Sequence, residues 1–211
     1  MESEAEDVLN SFKSSSERLT IASVYSFYDN YLCPNFKKVI DLEKHTVDIR
    51  LEYSREVINS MLAGKRRLGF THHPCNYTDL ISELLFTERL VLVSGKYNER
   101  LSAGINVSMI RELDFMHSSF LDRHIEELIL DKVQFPLIIN IGSKIIDLIR
   151  NTSYMTLLPE SYAKPELEKG EFFEIPINDY EFPKLEYYCI RNKDIKKLTE
   201  TEIKIIEFFK K

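Results

Sequence analysis

The stretch Arg18–Pro34, RLTIASVYSFYDNYLCP, carries the pattern on which the rest of the chain is built. It predicts a strand over Leu19–Ala22, a polar turn over Ser23–Ser26 and a helix that runs to about Lys38. The turn has three polar side chains where the strand becomes the helix, namely Ser23, Tyr25 and Ser26. In open α/β sheets, ligands bind at the carboxyl ends of strands, close to helix N-termini. We therefore expect this turn to form one side of a ligand site.

The segment that follows continues the alternation of strands and helices. Val47–Leu51, VDIRL, predicts a half-buried strand, and Leu68–Phe70 predicts another short one. Between them, Ser54 is a candidate N-cap for an amphipathic helix that Gly64 ends. This order predicts a parallel sheet with crossover helices.

A second lobe is predicted to repeat this pattern. Glu88–Ser94, ERLVLVS, is the strongest strand signal, and the polar stretch 97–107 marks a crossing into the new lobe. The Thr199–Glu202 capping-box pattern predicts a C-terminal helix. In the second lobe the pattern predicts strands at Leu113–Met116, Pro136–Ile141, Tyr154–Leu158 and Phe172–Ile177. It predicts helices that begin at Ser118 or Ser119 and at Gly142-Ser143. The strand predicted at Leu185–Ile190 then returns to the first lobe.

These elements give an α/β fold of two Rossmann-like subdomains joined by two crossovers. We expect residues 1–16 to be the end of a helix and a linker. Subdomain I would comprise 17–96 plus 184–211, and subdomain II would comprise 97–183. Two lobes joined in this way predict a cleft where a small ligand binds.

Composition excludes several classes of function. The net charge of −6 argues against a nucleic-acid-binding surface within these residues, because such surfaces need clustered Lys and Arg. Three scattered cysteines predict free thiols in a reducing compartment. No apolar run has the length of about 20 residues that a membrane span needs, and the acidic N-terminus lacks the features of a secretory signal. We expect a cytoplasmic protein without a membrane partner.

Four polar turns are candidates for an anion site. They are Ser23–Ser26, Tyr53–Arg55, His117–Ser119 and Gly142–Lys144. Helix-terminal N–H groups and hydroxyls at such turns bind anions, although a serine at any one helix start is more often an N-cap. For all four turns together, ligand binding is the better interpretation.

Neither a metal site nor a catalytic site is predicted. His72-His73-Pro74-Cys75 has no second ligand pair at zinc-like spacing, so a loop histidine is the better interpretation, and His72 could line the cleft. The sequence has no nucleophile elbow and no glycine-rich phosphate loop. We expect a protein that is not an enzyme and needs no cofactor.

The succession of strings resembles the effector-binding domain of LysR-type transcriptional regulators. The resemblance covers about residue 17 to the C-terminus. Its four strings, in order, are RLTIASVYSFYDNYLCPNF, VDIRLEYSREVINSMLAGKRRLGF, FTERLVLVSG and SYMTLLPESYAKPELEKGEFFEIPI. Within the last of them, Leu157–Glu160 is the most characteristic segment. The resemblance implies a fold like type 2 periplasmic binding proteins, with an effector cleft between two subdomains.

The resemblance also implies site residues by position. Ser26 matches a Ser or Thr that commonly contacts the effector, and Tyr53 and Ser54 match the loop before the second helix. Thr71 and His72 follow the strand that matches the family's Asp-Leu-Ala-Ile-like segment. In subdomain II the matching residues are Ser118, Ser119, Gly142 and Ser143.

The sequence departs from the family pattern at three places. The N-terminal winged helix-turn-helix of the family is missing, so we expect residues 1–16 to match only the end of its linker helix. Thr152-Ser153-Tyr154 stands where the family has Gly-x-Gly, and Tyr154 would shrink the pocket. Arg67 stands where Asp is common.

The implied function is effector sensing and oligomerisation. A small effector, expected to be an anion or carboxylate, would close the lobes and change the packing of a homodimer or tetramer. The helices at about 27–38 and 54–63 would pack antiparallel across its two-fold axis. Contact with DNA would occur only through the missing domain. The alternatives are a solute-binding protein of the same fold and a two-lobed enzyme.

Overall fold

The computed structural model describes residues 17–118, 120, 138–139, 142–193 and 198–210. Contacts divide the chain into two compact units, 1–86 with 186–211, and 87–185. The sequence had placed the first boundary ten residues later. The difference arises because the strand Leu90–Gly95 pairs with strands of the second unit rather than of the first.

The helices and strands follow the predicted α/β order. In the first part of the chain they are β1 (Glu17–Ser23), α1 (25–39), β2 (His45–Leu51), α2 (Ser54–Leu62), β3 (Leu68–Thr71), β4 (Leu80–Glu88) and β5 (Leu90–Gly95). After two 3₁₀ segments (Lys96–Ala103 and Val107–Glu112) come β6 (His117–Ser118), β7 (Ile138–Ile139), α3 (Gly142–Arg150), β8 (Met155–Pro159), α4 (Glu160–Glu168), β9 (Phe172–Glu174), β10 (Leu185–Asn192) and α5 (Glu200–Phe209).

The first unit is built on a five-stranded sheet in the order β2-β1-β3-β10-β4. Strand β1 is parallel to β2 and to β3, with Ser23 opposite Leu51 and opposite Phe70. The carboxyl ends of these three strands therefore lie at one edge of the sheet, as predicted. On one face, Phe27 stacks on Phe70 with ring centroids 4.2 Å apart, which fixes the start of α1 over that edge.

Helix α2 packs closely on the other face because of Gly69. A Cβ atom at this position would lie 2.9 Å from Val57 Cγ1 and 3.0 Å from Met61 Cγ. Both of those side chains are fully buried. The glycine thus lets α2 approach β3 more closely than any larger residue would allow.

Helix α1 contains a π-helical segment ahead of a proline. It runs as Tyr25–Phe27, the π-helical Tyr28–Leu32 and Cys33–Val39, with α-helical backbone angles at both junctions. Pro34 has no backbone N–H, so it donates no hydrogen bond to the preceding turn. The Asn35 side-chain amide adds a hydrogen bond to the Tyr31 carbonyl at 2.9 Å.

The C-terminal helix is fixed by the predicted capping box. Thr199 and Glu202 exchange side-chain and backbone hydrogen bonds at the start of α5. Glu202 is fully buried, and Arg67 pairs with it through two hydrogen bonds, one of them 2.8 Å from Nη2 to Oε2. The departure at Arg67 therefore has a structural role, because the guanidinium neutralises a buried carboxylate.

The second unit has its own sheet and core. Strand β5 lies between β8 and β9 and is antiparallel to both, while β6 and β7 form a separate parallel pair. All six residues of β5 are buried, which agrees with the strong apolar pattern of the sequence.

Some predicted elements differ from the structure. Strand β4 was not predicted, since LISELLFTE mixes apolar and polar residues without regular alternation. The strand expected at Leu113–Met116 is reduced to a bridge at Phe115 beside a 3₁₀ turn. Of the strand expected at Pro136–Ile141 only Ile138–Ile139 is described, and the helix expected after Ser118 or Ser119 lies mostly outside the described residues.

Candidate functional site

Three turns of the first unit meet through hydrogen bonds at the carboxyl edge of its sheet. Ser26 at the start of α1 lies 2.8 Å from His72, measured from Oγ to Nε2. The backbone N–H of His72 donates to Ser54 Oγ at 3.1 Å. His72 follows β3 directly, so it links the helix starts that lie on opposite faces of the sheet.

Ser54 differs in detail from its predicted role. The N-cap of α2 is Tyr53, and no side chain caps this helix start. Ser54 is instead the first helical residue, and its hydroxyl accepts from the loop after β3. The bond between Ser54 and His72 forms because Gly69 lets α2 lie close to β3.

The hydrogen bonds of His72 define its tautomer. Its Nδ1 lies 3.4 Å from the carbonyl oxygen of Glu186, and a carbonyl can only accept. We therefore assign the proton to Nδ1, so that Nε2 accepts from the Ser26 hydroxyl. The imidazole ring also packs edge-on against Tyr187, with centroids 4.8 Å apart, which fixes its orientation.

Burial lowers the pKa of His72 to about 4. Protein atoms crowd the ring and disfavour its charged form, and the neighbouring His73 acts in the same direction, while the Glu186 carbonyl opposes both. The ring is therefore neutral at pH 7. Part of the residue nevertheless remains exposed.

The other predicted residues of the first unit fall into two groups. Ser23 and Thr71 are fully buried, and their hydroxyls donate to the carbonyls of Val24 and His73 at 3.0 and 2.8 Å. These two hydroxyls bind backbone rather than facing solvent. Tyr25 and Tyr53 flank the serines, with ring centroids 6.1 Å apart, and Tyr53 is 44% exposed.

In the second unit, the predicted site residues that the structure describes make different hydrogen bonds from those of the first unit. Ser118 is fully buried, and its hydroxyl donates to the Leu157 carbonyl at 2.8 Å. Tyr154 is half-buried against the core of this unit, and its own carbonyl accepts from Ser94 at 3.3 Å. Ser119 lies outside the described residues, as does the side chain of Ser143, although Gly142 does begin α3 as predicted.

Glu186 and Tyr187 were missed by the sequence-based prediction. Both belong to β10, which arrives from a distant part of the chain, and they contribute a carbonyl and a ring that orient His72. The run Glu186-Tyr187-Tyr188 was visible in the sequence, but nothing in it indicated which strand it would lie beside.

Two surface grooves of the first unit lie away from this cluster. One of about 400 Å³ lies between β2 and α2, and one of about 860 Å³ lies beside α5. Neither is lined by Ser26, Ser54 or His72. We prefer the serine–histidine cluster as the candidate site because it joins three strand ends, whereas these grooves are bordered by surface charges.

The described residues hold no group of three metal-binding side chains close enough to share an ion. Within the same residues, none of the helices combines the length and apolar character required to cross a bilayer.

Comparisons with known proteins place the fold. The family described as LysR substrate binding domain matches residues 13–201. A search of curated protein sequences gives no significant match. Among solved structures, the effector-binding domain of QuiR in complex with shikimate is similar with a TM-score of 0.71 at 14% identity, over 93% of this chain and 96% of that one.

Two further structures give the same result. The regulatory domain of CrgA, a LysR-type regulator from Neisseria meningitidis, has a TM-score of 0.75 at 10% identity, over 92% of this chain and 97% of that chain. The regulatory domain of CcmR from Synechocystis PCC6803, in complex with 2-PG, has a TM-score of 0.72 at 14% identity, over 91% and 95%.

Proposed function

The chain belongs to the family of LysR substrate-binding domains, and from that membership we propose that it senses a small anionic effector at the Ser26–His72–Ser54 cluster. It acts by binding rather than by turnover. Contact with DNA is made by a domain outside this chain, which responds to effector binding.

The convergence of three turns on His72 is the observation that supports this site. Helix starts on both faces of the sheet bring hydroxyls to one residue, within 2.8 and 3.1 Å. Such helix starts carry partial positive charge and N–H groups without intrahelical partners, which favour an acidic oxygen. The tyrosines at 25 and 53 add apolar ring surface beside these polar groups. A small organic acid suits this combination.

Related structures support the class of ligand. QuiR was solved with shikimate and CcmR with 2-PG. These ligands belong to those proteins, and the effector of this chain is to be found by screening.

Isothermal titration calorimetry with small carboxylates, keto acids and inorganic anions tests the proposal. At least one organic acid is expected to bind the wild type, and Ser54→Ala should weaken it about three- to tenfold, as expected for the loss of one hydrogen bond. Ser60→Ala is the matched control, since Ser60 lies on the same helix and its hydroxyl donates to the Val57 carbonyl within that helix. A panel without a binder, or equal affinity in Ser54→Ala, contradicts the proposal.

The chain is further proposed to form a homodimer through α1 and α2, packed antiparallel across a two-fold axis. Exposed apolar residues on these helices, such as Leu62 at 38%, are compatible with a partner surface. Light scattering at tens of micromolar concentration should give the mass of a dimer. A monomer at that concentration would contradict this arrangement, and Leu62→Glu should shift a true dimer towards monomer.

A further inference from the structure

The larger groove of the first unit, with a volume of about 860 Å³, lies beside α5 and is called the α5 groove below. It is lined by the end of α1, the loop before β2 and the start of α5. Its apolar lining includes Val39, Leu198 and Ile203. Ile203 is 46% exposed, and Leu42, which belongs to the lining loop, is 63% exposed. Two large apolar side chains therefore contact solvent here, where a docked segment would bury them.

The chain enters the first unit directly beside this groove. Strand β1 is parallel to β2, and its first residue, Glu17, lies opposite His45, which lines the groove. Neighbouring strands lie about 5 Å apart. The segment that precedes β1 is therefore attached at the rim of the α5 groove, at the amino edge of the sheet.

The sequence of that segment has the pattern that an apolar groove requires. Ala5, Val8, Leu9 and Phe12 recur at helical spacing, which predicts an apolar stripe along one side of a helix. The linker KSSS at 13–16 joins this stripe to β1 and spans up to about 13 Å when extended. The stripe can therefore reach the groove without any change in the sheet.

We propose that residues 5–12 dock in the α5 groove of their own chain and bury Leu42 and Ile203. A short linker favours this occupant over any other, because it gives the segment an effective concentration in about the millimolar range. The proposal is independent of effector binding and adds an intramolecular interface to it. Docking would anchor the N-terminal segment at the edge of the sheet opposite the serine–histidine cluster.

Apolar burial, rather than charge, would drive this docking. Lys44 and Lys204 line the groove together with Asp41 and Glu200, and Lys44 pairs with Asp41 at 3.4 Å. The four charges of the lining therefore cancel. Residues 1–12 carry four acidic side chains and no basic ones, and all four acidic residues lie outside the apolar stripe. An amphipathic segment that keeps its acids in water fits such a groove.

Thiol modification at the rim of the groove tests the proposal in the full chain. Lys204→Cys places a thiol there, and mass spectrometry of its peptide follows the rate of reaction with a maleimide separately from the native cysteines. Adding Leu9→Glu should raise this rate at least about tenfold, because burial of one leucine shifts a docking equilibrium by that much. Asn10→Glu is the matched control: it adds the same charge at the next position, off the stripe, and should leave the rate unchanged.

A second reporter and two further conditions identify the occupant. Lys65→Cys, at an exposed position of the other groove, should react at the same rate with and without Leu9→Glu. Protection at residue 204 that is independent of protein concentration and persists at high salt supports docking within one chain. Equal rates at residue 204 with and without Leu9→Glu overturn the proposal. Protection that rises with protein concentration overturns it as well, since the segment of a second copy would then occupy the groove.

Discussion

The two units contain similar serine-bearing turns, yet the structure uses them in different ways. In the first unit Ser26 bonds to the imidazole of His72, and Ser54 bonds to the backbone N–H of the same residue. His72 is partly exposed. In the second unit Ser118 turns inward to the Leu157 carbonyl and is fully buried. Serine hydroxyls therefore join a polar cluster at Ser26 and Ser54, whereas at Ser118, and at Ser23 of the first unit, they bond buried backbone.

The comparison shows what decides the role of such a serine. A buried hydroxyl bonds to a polar group within its reach, because a buried polar group costs about 1–3 kcal/mol if left unpaired. Where a backbone carbonyl lies within reach, as at Leu157, the serine donates to it. Where a neighbouring loop supplies a histidine, it turns towards the loop.

Titration of His72 should produce the largest effect. Its pKa is lowered from 6.5 to about 4, so the unfolded chain binds more protons between these values, and stability is complete above pH 6.5 and falls towards pH 4. The loss should approach about 3 kcal/mol, measured by urea unfolding at a series of pH values. His72→Gln should flatten this dependence. Glu166, whose pKa is lowered by ion pairs from 4.5, contributes mainly at the acid end of the range.

Comparison with His73→Gln isolates this effect, because that side chain is exposed on the same loop. An identical pH dependence in wild type and His72→Gln would mean that the first-unit cluster does not contain the titrating group.

Gly69→Ala should destabilise the first unit by about 1–3 kcal/mol, since the added methyl overlaps Val57 and Met61. It should also weaken effector binding, because α2 carries Ser54. Gly170→Ala provides a control for the loss of glycine itself. The φ of Gly170 is +68° and no atom lies within 4 Å of an added Cβ, so any loss of unfolding free energy in this variant comes from the backbone alone. A normal affinity in folded Gly69→Ala would show that the spacing of α2 does not matter for binding.

Ser118→Ala should cost about 1–2 kcal/mol of unfolding free energy and leave effector affinity unchanged, because its hydroxyl binds buried backbone. Thermal and urea unfolding measure the first quantity, and calorimetry measures the second. Weakened binding without a loss of stability would reverse the contrast between the two units.

Ser26→Ala should have the smallest effect on stability, about 0.5–1 kcal/mol, since its partner is a partly exposed ring. Its effect on binding should be clearly larger than that of Ser118→Ala. Equal binding in the two variants would show that the distinction between the units has no functional meaning.

The sequence predicted the architecture well because apolar periodicity is local. β1, β2, β3 and α5 follow directly from the spacing of apolar residues and, for α5, from its capping box. Strand β4 escaped prediction because its place at the sheet edge permits polar residues on both faces.

The candidate site was predicted only in outline, because its geometry is not local. Ser26, Ser54 and His72 could be named from strand ends, but their bonds depend on how α1 and α2 pack against β3. Glu186 and Tyr187 reach the site through β10 from more than a hundred residues away, a pairing that no local pattern encodes. The direction of the Ser118 hydroxyl could not be predicted from the sequence either, since it depends on the position of the Leu157 carbonyl.

The close approach at Gly69 has a consequence for how such a sensor can change during evolution. The distance between Ser54 and the His72 backbone is set by a residue that touches neither of them, together with Val57 and Met61 above it. Substitutions among these apolar residues would move one polar group relative to the other by fractions of an ångström, without altering any atom of the proposed site. If effector binds at that site, its ligand preference would therefore diverge through the hydrophobic core while Ser26, Ser54 and His72 stay the same.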